Sequence, residues 1–414
     1  MDNMDDCNIW SAPDTAYVPA GRCEFVGRVH VCDARARARV MCQARRAVSG
    51  AARCLPEASS PRYHATHAML VRSEISRRLL RQNAMLKLSI ESEFAAMPRA
   101  ARPRFERCMA SYEQALLGAA AANDAVIERV FGTPARAGPL TQATEWLGFS
   151  SDGVYDGLGS LWRHLAKDWS TEGAAGGAAL RERIVGFATS EAARWPANTP
   201  LSIVVPGCGQ ARLAWALANA LPQAQVIGIE QSAATLGLAK HILYECEGAD
   251  ELTVHPWLDA FPNNLAAASR VGTVSVPDAL PARLSNLDLR LGAFPGEGDG
   301  GSGSQKHHVL VTNFFLDCVD DLPATCAAIH DALVPGGAWI FSGPLHYYQG
   351  GGAYSPRPAP ALSHLLELAH DLGLHVEGLP ELLPAPYVRR PGAFLHEADW
   401  TVPCFLARRA TGRH

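Results

Sequence analysis

The chain has 414 residues, 48% hydrophobic and 19% charged, with a formal net charge of −4. This is the balance of a globular protein long enough for one large or two ordinary cores. It excludes the basic footprint of a nucleic-acid binder, and no run approaches the roughly twenty apolar residues of a membrane span.

The opening MDNMDD is neither a basic signal-peptide start nor an acid-poor transit peptide. Eleven cysteines are spread widely, with no CxxC pair and no Cys/His cluster at zinc spacing. Free thiols in a reducing compartment are expected, cytoplasmic or nuclear, with no metal. Residues 1–60 lack periodicity and are expected to form a disordered tail. The six arginines between Ala34 and Cys54 read as a solvated run.

From Tyr63 to Ala95 apolar residues recur at three-to-four spacing, which predicts a helix. Phe105 to Phe131 predicts a second, and Gly132-Thr133-Pro134 closes the pair. Residues 61–150 are therefore expected to be a helical region, an antiparallel pair or small bundle, ahead of a larger domain at 151–414. Leu158–Asp168 and Gly177–Trp195 read as two more helices. The segment between them, KDWSTEG from Lys167 to Gly173, reads either as a helix end or as a lid over a ligand.

The pattern LSIVVPGCGQARLAWALANALPQAQVIGIE, from Leu201 to Glu230, organises the rest. It reads as strand, glycine turn, helix, strand and acidic residue. Gly207 and Gly209 let the backbone turn sharply and let a ligand lie against it. Glu230 follows by about twenty residues, where ribose hydroxyls sit in nucleotide-binding folds. Arg212 occupies the place of the third glycine of GxGxxG, which argues against NAD or FAD. A nucleoside ligand without a pyrophosphate remains, and S-adenosylmethionine is the common one. The ordinary alternative is a turn with incidental glycines.

A helix is expected over Ala233–Glu245, then an aromatic loop from His255 to Asn264 and strands over Leu287–Leu291 and His308–Asn313. The insert at 295–306 has the low-complexity composition of a disordered loop. A helix over Leu322–Leu333 leads through a Pro335-Gly336-Gly337 turn into a strand over Ala338–Ser342. Leu362–Leu372 closes the helices, and Leu374–Glu377 and Trp400–Ala407 are the last strands. Alternating strands and helices predict an α/β, doubly wound, Rossmann-like sheet. The late closing strand suits a seven-stranded methyltransferase sheet with one antiparallel edge.

VVPGCGQARLAWALA, IGIE, HPWLDAFPNN, TNFFLDC and LVPGGAWIFSGPL together resemble the carnosine N-methyltransferase family, also called N2227-like methyltransferases. KDWSTEG fits as well. The similarity runs from about Leu158 to Arg409 and is dense over 201–345. It implies a class I methyltransferase that binds S-adenosylmethionine and methylates an imidazole nitrogen of carnosine, giving anserine. It also implies a homodimer formed through the helical part. Carried over by position, Gly207 and Gly209 approach the cofactor's methionine part and Glu230 holds its ribose. Arg212 pairs with the cofactor carboxylate or with the sheet edge. His164 and Lys167 stand where the family has cofactor-contacting glutamine and arginine.

Asp317 matches the family's substrate carboxylate. A neutral imidazole has one N–H and one lone pair. An acceptor on the N–H fixes the tautomer, aims the other nitrogen at the methyl donor and stabilises the charge that grows on the ring. The ordinary alternative for Asp317 is an N-cap ahead of Leu322. The family's GDF reads Gly292-Ala293-Phe294, so an acceptor for the adenine amine is missing unless Asp288 or a carbonyl substitutes. The family's GPLLYH reads Gly343 to Tyr348, which puts Tyr348 in the histidine position and a histidine at His346. The family's C-terminal tyrosine falls on Trp400. The expected substrate is thus carnosine or a related dipeptide, bound by Asp317, His346, Tyr348 and Trp400. The rivals are a methyltransferase of a protein or peptide histidine or another small imidazole, and a non-catalytic cofactor-binding scaffold, the latter favoured by Ala293.

Overall fold

A computed structural model describes residues 61–95, 102–133, 158–260, 264–295, 305–347, 359–386, 388–390 and 399–411. The tail 1–60, residues 296–304 of the insert, and Tyr348 lie outside the described residues. The chain divides into two units, 1–65 and 66–414, and apart from residues 61–65 all that follows lies in the second.

Two long helices open this unit, α1 (Pro61–Ala95) and α2 (Arg102–Phe131). They run antiparallel. Asn83 Nδ2 donates to the Ala120 carbonyl and to Asp124 Oδ1, both at 2.6 Å, while Ile90 and Leu116 bury between the helices. Asn123 then docks α2 on the residues after it in the fold: its Oδ1 accepts from His255 N at 2.9 Å and its Nδ2 donates to His255 O at 3.1 Å.

Next come α3 (Leu158–Trp169), the short α4 (Thr171–Gly176) and α5 (Ala178–Ala192). The β-branched run expected at 201 is β1 (Leu201–Pro206), buried along its whole length. It is followed by α6 (Arg212–Ala220), β2 (Ala224–Glu230) and α7 (Ala233–Lys240), which ends in a π turn at His241–Glu245. Two short strands, β3 (Leu252–Val254) and β4 (Val274–Val276), pair antiparallel outside the main sheet. The chain continues through β5 (Leu287–Leu291), β6 (His307–Asn313), α8 (Leu322–Ala332), β7 (Leu333–Ser342), α9 (Leu362–Asp371) and β8 (Leu374–Val376). It closes with β9 (Glu381–Pro386) and β10 (Asp399–Arg409).

The main sheet has the order β5-β2-β1-β6-β7-β10-β8, with β9 also paired to β10. The first five strands are parallel and β10 runs antiparallel to β7. This is the class I methyltransferase sheet. The antiparallel strand is not at the edge, as expected, but lies between β7 and β8. The expected turn at Pro335-Gly336-Gly337 is instead part of β7. Gly336 takes φ +80°, and the register slips between His307 and Val309, so the strand absorbs the glycines as a bulge.

Alternation along the buried strands fills both faces. Ile203 and Val205 meet helices α3, α5 and α6 through Leu165, Ile184 and Leu217, while Val204 faces the side of α8 and α9 through Ile329 and Leu365. On that second side Trp339, Phe341 and Phe405 pack ring to ring, and Trp339 Nε1 donates to Thr312 Oγ1 at 2.9 Å. Each fully buried Val, Leu or Ile contributes about 1.5–3 kcal/mol. This two-sided core holds the carboxyl ends of the strands in place, and the candidate site sits there.

Candidate active site

β1 ends at Pro206, and the backbone turns through Gly207 at φ +59° and Gly209 at φ +55°. A Cβ on Gly207 would come within 2.5 Å of the Phe315 ring, so only glycine allows both the turn and the contact. Ala211, also left-handed at φ +62°, leads into α6. Glu230, at the end of β2, lies directly under the turn. Its Oε2 accepts from Gly209 N at 2.9 Å and its Oε1 from Ser232 N at 2.8 Å.

KDWSTEG resolves as a wall of this turn. Trp169 is fully buried and its Nε1 donates to the Gln210 carbonyl at 2.8 Å. Ser170 caps α4, accepting from Gly173 N at 3.0 Å. Gly173 admits no side chain, because a Cβ would lie 2.3 Å from the Ala166 and Lys167 carbonyls. A segment pinned this way is neither a linker nor a lid.

A cavity of about 410 Å³ opens at the carboxyl ends of β1 and β6. It brings together His164, Lys167, Gly207, Gly209, Arg212, Asp317, His346 and Trp400 of the sequence-derived set. Glu230, Ala293 and Phe294 do not line it. Gly292 N bonds the Glu230 carbonyl at 3.0 Å, so the 292–294 loop runs beside that acid. Ala293 is exposed there. Phe294 is buried, its ring edge-on to Phe315 at 6.4 Å, and Phe315 in turn lies on Gly207. Asp288 is paired with Arg290 at 2.7 Å.

Asp317 sits in a 3-10 turn, Leu316–Cys318, just past β6, and is 7% exposed. The cap of α8 belongs to Asp321, whose Oδ1 accepts from Ala324 N at 2.9 Å, so Asp317 has no capping duty. Burial pushes its carboxyl above the ordinary aspartate range, against hydrogen bonds from its own backbone, the Cys318 thiol and the His346 backbone. His346 and Trp400 face each other across the cavity rim with ring centroids 5.5 Å apart. Phe314, the first residue after β6, holds a left-handed φ of +52°. Its amide donates to the Ser342 carbonyl at 2.9 Å, and Lys167 Nζ lies 4.0 Å above its ring. His164 faces the cavity from α3. Burial, then the charges of Lys167 and Arg163, lower it to about 4, so it is neutral at pH 7.

Arg212 does not reach a sheet edge. Asp278, in the loop after β4, takes both terminal nitrogens of its guanidinium. Among the cavity residues missed from sequence are Asp168, Arg181 and Gln210. Burial raises the Asp168 carboxyl, opposed by Lys167, Arg181 and Arg212. Arg181 donates to the Ala174 carbonyl at 2.8 Å, and among the described residues no carboxylate is paired with it. Gln210 is fully buried, and both ends of its side-chain amide lack a partner among the described residues. The signal for Asp168 and Arg181 was only their place on helices beside the turn, which says nothing of direction. Gln210 was hidden among the residues that shape the turn.

The carnosine N-methyltransferase family model matches residues 150–383. The carnosine N-methyltransferase of Rattus norvegicus is 31% identical over 201 residues, 47% of this chain and 48% of that protein. A carnosine N-methyltransferase of Drosophila melanogaster is 25% identical over 238 residues, 56% of this chain and 51% of that protein. The chain thus spans about half the length of the curated relatives it matches. Among solved structures, magnesium protoporphyrin IX methyltransferase from Synechocystis with bound SAH overlaps at a TM-score of 0.36 and 13% identity, over 65% of this chain and all of that one. With more than half of its residues inside the family model, the chain belongs to the carnosine N-methyltransferase family.

Proposed function

We propose that the chain is an S-adenosylmethionine-dependent N-methyltransferase acting on the imidazole of carnosine or a related histidine-containing dipeptide. The observation that carries this reading is Asp317, a buried carboxylate on the same cavity as Gly207 and Gly209, with no helix to cap.

The residues present fit the cofactor. The glycine turn is open to close approach, Glu230 is fixed beneath it by two amides, and the buried Gln210 amide offers an unused donor and acceptor. Glu230 would hold the ribose, and Gly207 and Gly209 would lie against the methionine part, with Gln210, Lys167 and Arg181 toward the same end. Bound S-adenosylmethionine supplies an electrophilic methyl carbon on its sulfonium.

The rest is the work of the chain's own side chains. The Asp317 carboxylate accepts the imidazole N–H and leaves the other ring nitrogen with its lone pair toward the donor. As the ring becomes cationic, the same buried carboxylate stabilises it across a hydrogen bond. It then takes the N–H proton of the methylated ring, which leaves as a neutral imidazole, and gives that proton up to solvent. Phe314, Trp400 and His346 confine the ring, so placement supplies much of the rate. His164 stays neutral and adds no charge to repel the cationic ring.

The test is transfer of a labelled methyl group by the full chain to carnosine, free histidine and a histidine-containing peptide. Label in methylated carnosine is expected. Label in the peptide alone, or in none of the three, overturns the reading.

A further inference from the structure

At the end of α7 the π turn places His241, Cys246 and Glu251 around one point. Their nearest ligand atoms, an imidazole nitrogen, the thiol sulfur and a carboxylate oxygen, all lie within 4.8 Å of one another. His241 and Cys246 are 5% and 1% exposed. None of the three lines the cavity of the candidate active site.

The decisive observation is the imidazole of His241. Its Nδ1 is 2.9 Å from Glu245 Oε2. An ionised carboxylate can only accept, so in the neutral ring Nδ1 carries the proton and Nε2 is a bare lone pair. That Nε2 is buried and has no hydrogen-bond partner among the described residues. A buried acceptor without a donor costs about 1–3 kcal/mol. Arginine, lysine or water could relieve it, but the groups gathered with it are a thiol and a carboxylate. A carboxylate that fixes the ring through one nitrogen, beside a thiol and a second carboxylate within reach of the same ring, is the outer-shell arrangement of a histidine metal ligand. Glu245 is itself held by Arg72, and Glu251 by Arg129 and by the amides of Glu247 and Gly248, so both carboxylates are positioned before any ion arrives.

We propose that His241 Nε2, Cys246 Sγ and Glu251 form a binding site for a borderline-soft divalent cation of the zinc type, completed by water. The donor set of one nitrogen, one sulfur and one oxygen suits zinc and cobalt and disfavours magnesium and calcium, which prefer oxygen alone. The thiol gives up its proton to solvent on binding, and thiolate plus carboxylate neutralise the ion. The role is structural. The ion ties the end of α7 to the segment entering β3, where Arg129 of α2 also lands. The sequence concealed it because His-x4-Cys-x4-Glu matches no zinc spacing.

The test uses the full chain freed of metal with a chelator and titrated with Co²⁺ and then Zn²⁺, and its readouts involve no methyl transfer. One equivalent of Co²⁺ should produce thiolate-to-cobalt charge-transfer absorption that Zn²⁺ displaces, and Zn²⁺ should raise Tm. Cys246→Ser should abolish the absorption and the Tm shift. Glu245→Gln, which still folds around an intact ligand set, should keep the absorption and weaken Zn²⁺ at least tenfold. Absence of the absorption in the wild-type chain, or its survival in Cys246→Ser, overturns the site, since the remaining thiols would then be responsible.

Discussion

Arg212 and Asp278 form a two-bonded ion pair, Nη1 to Oδ1 at 2.6 Å and Nη2 to Oδ2 at 3.0 Å. The guanidinium also stacks against Trp169 at 4.6 Å and Trp215 at 5.3 Å. The residue that replaces the third glycine of a dinucleotide turn therefore fastens the start of α6 to the loop after β4. The pair is 13% and 16% exposed, so it is mostly shielded from solvent. Breaking one side leaves a charge with little water around it. Asp278→Ala should cost about 3 kcal/mol in urea unfolding. A loss below about 1 kcal/mol would mean that water compensates Arg212.

Asp317→Asn keeps the shape of the side chain and removes the acceptor charge. Cofactor affinity should stay within about twofold, while turnover falls on the order of 100-fold, the usual cost of losing one preorganised group at developing charge. Calorimetry with S-adenosylmethionine and a methyl-transfer assay separate the two. The pH profile of the wild-type chain should follow the same residue. Burial raises the Asp317 carboxyl, so activity should decline on the acid side at a pH above that of a free aspartate. The asparagine variant should lose that part of the profile.

His164 gives a stability prediction with a definite sign. Its folded value is about 4, against 6.5 when free. Between these values the unfolded chain takes up a proton that the folded chain refuses. Stability is therefore fully present above about pH 6.5 and is lost as pH falls toward 4. The ring is half-buried toward the cavity, so some solvent screening applies, and the loss should be about 2 kcal/mol. His164→Gln should flatten denaturation midpoints across pH 4–6.5. An unchanged slope would transfer the effect to another group.

Glu230→Ala should weaken the cofactor by about 1–3 kcal/mol, the range of hydrogen bonds to a charged group. It also frees Gly209 N and Ser232 N from the carboxylate, so the turn itself should loosen. Gly207→Ala tests that turn differently, since its φ of +59° and the Phe315 ring 2.5 Å from the added carbon both resist a side chain. Protein melting that drops with Gly207→Ala but not with Glu230→Ala would assign the turn's shape to its sterics rather than to the acid.

The main sheet was readable because its strands are apolar and β-branched and the turns between them carry glycine or proline. Leu201–Val205 and His308–Asn313 announce themselves in this way, and their faces fill by simple alternation. The strands that escaped are of another kind. Leu252–Val254 and Val274–Val276 are three residues each, and their pairing is set by a partner over twenty residues away. Glu381–Pro386 contains two prolines and pairs on the outside of β10, where missing amides are tolerated. Within the site, residues tied to the backbone turn were legible, because a glycine or an acid at a strand end has few other uses. Asp168 and Arg181 were not, because a helix carries polar residues on every solvent face and only packing decides which of them looks into a cavity; Gln210 was not, because a polar residue in a glycine turn normally points to water and only packing buries it.

Phe314 carries a further meaning. Its left-handed backbone, unusual for a bulky residue, is imposed by the Ser342 carbonyl and by Gly343, whose missing Cβ leaves room for the Phe314 amide. Such a conformation is worth about 1–3 kcal/mol of local strain. Glycine or asparagine at 314 would relieve that strain but forfeit the ring's packing against the core and beneath Lys167. A directed-evolution campaign scored on heat tolerance would therefore find little to gain at this codon, and the strained aromatic that aims Asp317 survives because its own packing holds it in place.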